Sequence, residues 1–400
     1  MTELERIGLR PELIQHVEQT ARRYVEQGKV AGLVTVLAGR EGEPYAKAHG
    51  RRSLETDEPM QIDTLMRIAS LTKPITAAAT LLLVEDGRLS LDEPVAEHIP
   101  EFRDLEVLVD DETPRRTEPL KRPITLRHLL THTSGLAYGL LGDTPVESMY
   151  RRAEVLGSPL EELIEKLATL PLAAQPGKTW RYSISYDVLG YIIERVAGTT
   201  FDEFLRSRLF RPLEMRDTGF AVPEILSHRL AGYYTAPGDD GLQPMEPGAG
   251  SYLHRAGKGA GRPIHSGGGG LIATAPDYVR FMRMMLNGGE LGGTHLLRSR
   301  TVRRMTTNQL DEDQLPIRLG RRVLDGMGYG FGFGVKVTDA TSAGQPSKGT
   351  YWWAGITGTL AWADPELGLI GIVMTQAARY YEPAFAFQNS VYRALRGSRA

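Results

Sequence analysis

The chain has 400 residues, 41% of them hydrophobic, with a formal net charge of −2 and no cysteine. This length and composition predict a globular protein with a sizeable core. Because cysteine is absent, thiol nucleophiles, disulfides and thiolate metal sites are excluded, and the balanced charge argues against a nucleic-acid or anionic-membrane surface. The N-terminus lacks an apolar signal region, and no segment approaches the ~18 consecutive apolar residues of a membrane span. We therefore expect a soluble, cytoplasmic protein.

The first part of the chain predicts a helix, a strand hairpin and a second helix. Residues 11 to 28 space their apolar side chains at helical intervals. The segment from Ala31 is typical of a buried strand, and the segment from Pro44 of its hairpin partner. A second helix is predicted from Ser70 to about Asp86, and its nearly continuous apolar composition indicates a central, buried position.

The middle of the chain is predicted to be mostly helical. Residues 105 to 122 are charged and contain proline, which indicates a surface excursion. A short helix at 126 to 136 runs into a Ser-Gly turn, and longer helices are predicted at 159 to 170 and 186 to 209. The many glycines and prolines of 236 to 270 predict a loop.

The last part of the chain changes its hydrophobic period to that of strands. A helix is predicted to begin near Thr274, and four strand-like runs then precede a final helix from about Ala384 to Leu395. With strands at both ends and helices between them, we predict an α+β fold of the α/β sandwich type, in which both termini build one antiparallel sheet flanked by helices. Residues 1–70 and 265–400 would form this sheet domain and residues 71–264 a mostly helical domain, with the active site at the seam.

Ser70-Leu71-Thr72-Lys73 is the strongest chemical motif. A serine three residues before a lysine at the head of a helix places hydroxyl and ammonium on one helix face. A desolvated lysine has a depressed pKa and accepts the serine proton, which activates the alcohol as a nucleophile. The backbone N–H of Ser70 would also lie among the unpaired donors of the first helical turn, where it suits one half of an oxyanion hole.

Two later segments fit the same chemistry. Tyr182, near the start of a helix, would complete a Ser/Lys/Tyr proton relay. Trp353-Ala354-Gly355 lies in the late strands, where small residues at a strand edge let a backbone N–H face an acyl group. Each segment taken alone also fits ordinary packing, so their combination carries the prediction.

Other candidate sites are less well supported. No serine stands in a Gly-x-Ser-x-Gly motif, so a nucleophile elbow is absent. His128, His132 and His265 lack metal-ligand spacing and are predicted to be capped or packed. Ser266 and the four glycines after it lack the Lys-Ser/Thr of a phosphate loop and predict a turn ahead of a strand.

The ordered set of motifs resembles the class C β-lactamase-like serine hydrolases, and most closely their esterase branch, the family VIII carboxylesterases. The resemblance spans roughly residues 11 to 395. It is carried by SLTK at 70–73, TLRHLLTHTSGL at 125–136, PGKTWRYSISYDVLGYIIE at 176–194, GGGGLIATAPDYVRFMRMMLNGG at 267–289 and WAG at 353–355. It implies a β-lactamase/transpeptidase-like fold.

The resemblance also implies roles for individual residues. Ser70 would be the nucleophile, Lys73 would assist its deprotonation, and Tyr182 would be general base and later proton donor, with the first proton acceptor left open between the last two. The N–H groups of Ser70 and Ile356 would form the oxyanion hole. The resemblance places Tyr138 near the acyl pocket, so we expect it, with Trp353, Ala354 and Gly355, to bind substrate.

Two departures from the β-lactamase pattern affect the predicted substrate. The family's Tyr-x-Asn reads Tyr-x-Ile here, with Ile184 in third place, and its Lys-Thr-Gly reads Trp353-Ala354-Gly355. The amide for an acylamino group and the cation for a carboxylate are therefore missing. We predict a serine carboxylesterase acting on small to medium neutral esters through an acyl-enzyme.

Several alternatives stay open at this point. The same site would serve an acyltransferase, a weak β-lactamase, a D-amino-acid peptidase or another amide hydrolase. A catalytically silent scaffold is a remote alternative. We expect no metal or cofactor, and a small-molecule ester as partner rather than nucleic acid or membrane. The sequence leaves open whether the protein is a monomer or a homodimer.

Overall fold

In the computed structural model, which describes residues 1–110, 116–245, 253, 263–342 and 344–397, helices and strands are distributed along the whole chain. The α-helices of these residues, α1 to α11, are Glu3–Arg6, Pro11–Glu26, Thr72–Glu85, Leu126–Leu130, Pro145–Arg152, Leu160–Leu167, Ser185–Ala197, Phe201–Leu205, Ala275–Leu286, Ser299–Thr306 and Glu382–Gly397. The strands, β1 to β16, are Gly32–Ala38, Tyr45–Ser53, Glu58–Pro59, Met66–Arg67, Glu106–Asp110, Arg116–Pro119, Ile272–Ala273, Glu290–Leu291, Thr294–His295, Arg318–Leu319, Arg322–Val323, Met327–Tyr329, Gly334–Lys336, Tyr351–Gly355, Thr359–Asp364 and Leu369–Thr375.

An eight-stranded antiparallel sheet, in the order β12-β13-β14-β15-β16-β1-β2-β3, lies at the centre of the fold. Strand β1 from the N-terminal part pairs with β16 from the C-terminal part, with Leu33 opposite Thr375 and Ala38 opposite Ile370. On its other side β1 pairs with the hairpin partner β2. Both ends of the chain therefore build one sheet, and the predicted α+β class is confirmed.

Helices cover both faces of this sheet because its central strands are apolar on both sides. Leu33 and Leu37 of β1 pack in one cluster with residues of α2 and α11. Val34 and Val36, which alternate with them, pack in the other cluster with residues of α3 and α9. This is the period-two alternation of a strand between two helical layers.

Helix α3 is the buried helix that the sequence predicts, and every residue from Thr72 to Leu83 is buried. It begins at Thr72, directly after a 3₁₀ turn, Ala69–Leu71, which contains Ser70. Helix α3 packs against α7 and α10. Pro74 stands in its first turn, where the missing N–H removes no helical hydrogen bond.

The middle of the chain differs in detail from the prediction. The single helix expected at 186–209 is two helices, because Gly198 ends α7 with a left-handed φ of 72° and Thr200 caps α8. The excursion at 105–122 carries the paired strands β5 and β6, and residues 246–252 and 254–262 of the predicted loop at 236–270 lie outside the described residues. Helices α3 to α8 stand between the two sheet-forming segments. The division into domains at 70/71 and 264/265 stays a prediction.

Candidate active site

Ser70 and Lys73 come together at the start of the buried helix. Lys73 Nζ lies 3.3 Å from Ser70 Oγ, with the lysine in the first turn of α3 and the serine in the 3₁₀ turn before it. Ser70 is partly exposed and Lys73 is fully buried. The hydroxyl is therefore accessible to a substrate, and the amine that faces it is shielded from water.

Lys73 is surrounded by aromatic rings. Its Nζ lies 4.6 Å from the ring centroid of Tyr182, 5.2 Å from that of Tyr138 and 5.9 Å from that of Tyr186. It also donates a hydrogen bond of 2.6 Å to the carbonyl of Gly268. Burial lowers the pKa of Lys73 to about 7, against a smaller opposing effect of the Asp187 charge. Near neutral pH a sizeable fraction of this amine is therefore uncharged and able to accept a proton.

Tyr182 lies between Lys73 and the last strands of the sheet. Its ring stacks on Tyr138 with a centroid distance of 5.4 Å and an interplanar angle of 2°. The indole Nε1 of Trp353 donates a hydrogen bond of 3.2 Å to the Tyr182 hydroxyl. Tyr138 Oη in turn lies 3.4 Å from Lys73 Nζ. The structure therefore brings the four side chains Lys73, Tyr138, Tyr182 and Trp353 into one cluster.

The end of strand β14 is fastened to the segment that precedes Ser70. A Cβ added to Gly355 would lie 2.4 Å from the carbonyl oxygen of Ile68, so only glycine fits there. The hydroxyls of Thr357 and Thr359 donate to the carbonyls of Arg67 and Ile68 at 2.7 and 3.2 Å. These contacts place the residue after Gly355, which is Ile356, at the same cleft as Ser70.

The backbone before Ser70 is held in an uncommon conformation. Ala69 has a φ of 45°, in the left-handed region that is rare for a residue with a Cβ, and it is fully buried. Such conformations cluster at functional sites because surrounding contacts hold them in place. Here the conformation directs the chain from β4 into the turn that carries Ser70.

A mostly apolar cleft of about 300 Å³ opens above Ser70. All the predicted substrate-contacting residues except Gly355 line it, and the buried Ile184 does not. Its walls consist of Ser70, Tyr138, Leu140, Leu141, Tyr182, Leu319, Arg322, Val323, Leu324, Asp325, Met327, Trp352, Trp353, Ala354, Ile356, Tyr381 and Phe385. Hydrophobic side chains with a few polar groups are typical of a small-molecule site.

His132 is a packed histidine, as predicted. It is fully buried, and its Nδ1 accepts a hydrogen bond of 3.3 Å from the Ser183 backbone N–H. Burial and the Lys73 charge lower its pKa well below the ordinary value, so the ring is neutral. It packs on the Tyr182 ring at a centroid distance of 4.6 Å. His132 therefore packs on the Tyr182 ring but does not line the cleft.

The other two histidines also have structural partners. His128 caps α4, because its Nδ1 accepts from the Thr125 backbone N–H at 3.2 Å. His265 lies 3.7 Å from the carboxylate of Glu194. Among the described residues, no group of three or more acids and histidines is arranged to hold a metal ion. None of the helices in these residues is long and apolar enough to cross a membrane.

Sequence reasoning missed a buried acid beside the lysine. Asp187 of α7 accepts a hydrogen bond of 2.5 Å from Ser266, the serine that precedes the four glycines. The predicted turn ahead of β7 is present at 266–269. The sequence did not predict that its Gly268 carbonyl accepts a hydrogen bond from Lys73. The available signal was a single acid within the otherwise apolar first turns of the helix that follows Tyr182.

Comparison with known proteins identifies the family of the chain. The Beta-lactamase family matches residues 17–388, and the chain therefore belongs to that family. It is a serine hydrolase of the class C β-lactamase-like group, with esterase-like relatives.

Two curated relatives carry esterase names. The chain is 33% identical over 371 residues to esterase EstB of Burkholderia gladioli, an alignment that covers 88% of each protein. It is 32% identical over 393 residues to lovastatin esterase of Penicillium rubens, covering 90% of this chain and 92% of the relative. Among solved structures, EstCE1, described as a hydrolase with promiscuous acyltransferase activity, superposes with a TM-score of 0.80 and 26% identity. That superposition covers 95% of this chain and 98% of EstCE1. These similar proteins are named as esterases or described as a hydrolase with acyltransferase activity.

Proposed function

We propose that this protein is a serine carboxylesterase that hydrolyses small to medium neutral carboxylic esters through an acyl-enzyme on Ser70. One observation carries the proposal: the amine of the fully buried Lys73 lies 3.3 Å from Ser70 Oγ, at the wall of an apolar cleft. A buried lysine with a pKa of about 7 is matched to proton transfer at neutral pH.

Acylation begins when Ser70 Oγ forms a bond to the ester carbonyl carbon and its proton passes to Lys73 Nζ. The negative charge on the carbonyl oxygen is stabilised by the backbone N–H groups of Ser70 and Ile356. When the tetrahedral intermediate collapses, the bond to the alcohol oxygen breaks. The alcohol leaves with a proton returned by Lys73 through Tyr182, whose ring lies against the amine.

Deacylation repeats these steps with water. A water molecule takes the place of the alcohol, gives its proton to Lys73 as its oxygen bonds to the acyl carbon, and releases the acid from Ser70 Oγ. Ser70 recovers its proton from the lysine. The site ends the cycle in its starting protonation state, with no metal or cofactor among the reacting groups.

The side chains around Ser70 support a neutral acyl group. Trp353 stands where the β-lactamase pattern has a lysine, and its indole nitrogen donates to Tyr182 Oη. Ile184 stands where that pattern has an asparagine and is buried. A substrate carboxylate would lack that cation and an acylamino group would lack that amide, whereas an alkyl or aryl acyl group would bury apolar surface against the tryptophans and leucines of the cleft.

Acyl transfer is a second candidate, since EstCE1 is described as a hydrolase with promiscuous acyltransferase activity. The acyl-enzyme is the same, and an alcohol replaces water in the second step. An esterase and a transferase are distinguished by supplying a short-chain alcohol during ester turnover and measuring the ratio of new ester to free acid. An excess of new ester in dilute alcohol would favour the transferase.

The test compares wild type and Ser70→Ala on p-nitrophenyl butyrate and on a chromogenic cephalosporin. We expect ester hydrolysis to fall at least 10³-fold in the variant and cephalosporin turnover to be weak in wild type. Efficient cephalosporin turnover would instead identify a β-lactamase and contradict the interpretation of Ile184 and Trp353. Ester turnover that persists in Ser70→Ala would show that Ser70 is not the nucleophile.

A further inference from the structure

Asp187 is a buried carboxylate that the mechanism above does not use. Its side chain stands in the first turn of α7 and is 4% exposed. Ser266 donates to its Oδ1 at 2.5 Å, and its buried Oδ2 lies against Gly268, whose backbone N–H favours the ionised form of the acid. Burial raises the pKa of Asp187, and the Ser266 hydrogen bond and the Lys73 charge oppose this shift. The ionised acid is therefore costly unless a nearby positive charge compensates for it.

Gly268 connects this carboxylate to Lys73. Its carbonyl accepts the 2.6 Å hydrogen bond from Lys73 Nζ. On its other side, a Cβ added to Gly268 would lie 2.4 Å from Asp187 Oδ2. The Asp187 carboxylate therefore packs directly against Gly268, the residue whose carbonyl binds the amine. A side chain at position 268 would not fit beside the carboxylate.

Two other described groups that face the amine are held in their neutral forms. Burial raises the pKa of Tyr186 far above neutrality, and His132 is neutral because its pKa is depressed. Asp187 is the acid whose charge acts on Lys73, and it favours the ammonium form. The titratable groups that face Lys73 from the elements packed around it are Tyr138, Tyr182, Tyr186, His132 and Asp187.

We propose that Asp187 is a positioning residue for the reaction: anchored by Ser266 and packed on Gly268, it fixes the Gly268 carbonyl against Lys73 and supplies the counter-charge of the lysine ammonium. This inference rests on the proposed function, because the proposed mechanism protonates Lys73 during acylation. Lys73 gains a proton in each acylation and must hold it on a fully buried side chain. Without a nearby anion, that protonated state would be strongly disfavoured.

The experiment measures how fast phenylmethylsulfonyl fluoride inactivates the enzyme as a function of pH, in wild type, Asp187→Asn and Ser266→Ala. Asn keeps the shape of Asp187 but removes its charge, so the ammonium of Lys73 loses its counter-charge and the pKa of Lys73 falls. The acid-side midpoint is the pH at which the inactivation rate has fallen to half of its maximum on the acid side. We expect this midpoint to lie about one pH unit lower in Asp187→Asn than in wild type, which is the lower end of the effect of an opposite charge at close range. Ser266→Ala leaves the acid in place but removes the hydrogen bond that favours its ionised form. It should therefore move the midpoint in the same direction by less.

Asp277→Asn is the matched control. Asp277 is also a buried acid on a helix, 6% exposed, and it accepts from the Thr218 hydroxyl at 2.8 Å, but it is not among the groups that act on Lys73. It should lower stability in the manner of Asp187→Asn and leave the midpoint in place. If Asp187→Asn does not fold, the midpoint of Ser266→Ala decides.

The possible outcomes separate this inference from the proposed function. An unchanged midpoint in each variant that folds, with the reagent still bound to Ser70 by mass spectrometry, would overturn the role of Asp187 alone. Wild type that resists the reagent, or Ser70→Ala that keeps esterase activity, would overturn the proposed function and this inference with it. A lower midpoint in Asp187→Asn but not in Asp277→Asn supports the inference.

Discussion

At the scale of single residues, the site depends on one amine placed where water cannot reach it. Lys73 is fully buried on a helix whose other buried residues are uncharged, and its partners are a carbonyl, a serine hydroxyl and tyrosines. The same burial in an ordinary core would only destabilise the protein. Here it brings the pKa of the amine to about 7. The energetic cost of burying this lysine is therefore also the reason that part of its amine is uncharged at neutral pH.

The pH dependence of ester hydrolysis should reveal this amine. The proposed proton acceptor, Lys73, can take the Ser70 proton only when it is uncharged, so kcat/KM should fall about tenfold per pH unit below a midpoint near 7. The measurement is kcat/KM for p-nitrophenyl butyrate between pH 5 and 9. A profile that stays flat down to pH 5 would rule out Lys73 as the proton acceptor.

Lys73→Met tests the role of the amine directly, and Lys166→Met is its control. Lys73→Met retains an unbranched side chain but no base, and kcat/KM should fall by about 10³-fold. Lys166 lies in α6, where it pairs with Glu162 at 2.7 Å, so its replacement should leave the profile unchanged. An equal loss in both variants would indicate a general effect on folding.

At the scale of elements, the site is the junction of a helix start and a strand end. The turn Ala69–Leu71 directs Ser70 outward, and the end of β14 approaches it closely enough that Gly355 has no room for a side chain. The hydroxyls of Thr357 and Thr359 hold the two segments together. The proposed oxyanion donors, the N–H groups of Ser70 and Ile356, come one from each segment. Their separation therefore depends on how closely the strand packs on the turn.

Replacing Gly355 by alanine tests this packing. The new methyl group would overlap the Ile68 carbonyl and the Thr359 hydroxyl, at 2.4 and 2.3 Å. The end of β14 must then move away from Ser70, and we expect kcat to fall about 10²-fold, the effect of losing one oxyanion donor, with KM changed less. Steady-state kinetics on p-nitrophenyl butyrate measures both.

Gly238→Ala is the control for that substitution. A Cβ at Gly238 would meet no atom within 4 Å, and its φ is not in the left-handed region, so activity should be retained. Unaltered kcat in Gly355→Ala, together with a folded protein, would show that the strand end does not set the oxyanion geometry.

At the scale of the whole molecule, the parts of the fold that could be predicted are those encoded by neighbouring residues. The strand runs and helix signals at both ends specify one antiparallel sheet, and SLTK encodes the contact of Ser70 with Lys73 within one turn. Contacts between distant segments have no such local signal. Ser266 and Asp187 meet across 79 residues of sequence. No spacing rule joins them, so the acid behind Lys73 is found only once the chain is folded.

The break between α7 and α8 also shows where local reasoning ends. The apolar pattern continues through 186–209, so periodicity alone predicts one helix. Gly198, in a left-handed conformation, and the capping Thr200 interrupt it, which turns the chain back toward α7. Residues that end or cap a helix therefore set the helix boundaries that hydrophobic periodicity does not define.

The buried lysine should also appear in the pH dependence of global stability. The pKa of Lys73 is about 7 in the folded protein against an ordinary value of 10.5, so the unfolded chain binds more protons between these two pH values. Stability therefore rises with pH across that window.

The variant Lys73→Met lacks this contribution. Between pH 7 and 9 the unfolding free energy of wild type should gain about 2 kcal/mol relative to the variant. Urea unfolding of both proteins at each pH measures the difference, in which the contributions of titrating groups that do not interact with Lys73 cancel. A difference that is the same at pH 7 and pH 9 would mean that folding does not lower the pKa of this amine, and the proposed proton transfer would lose its physical basis.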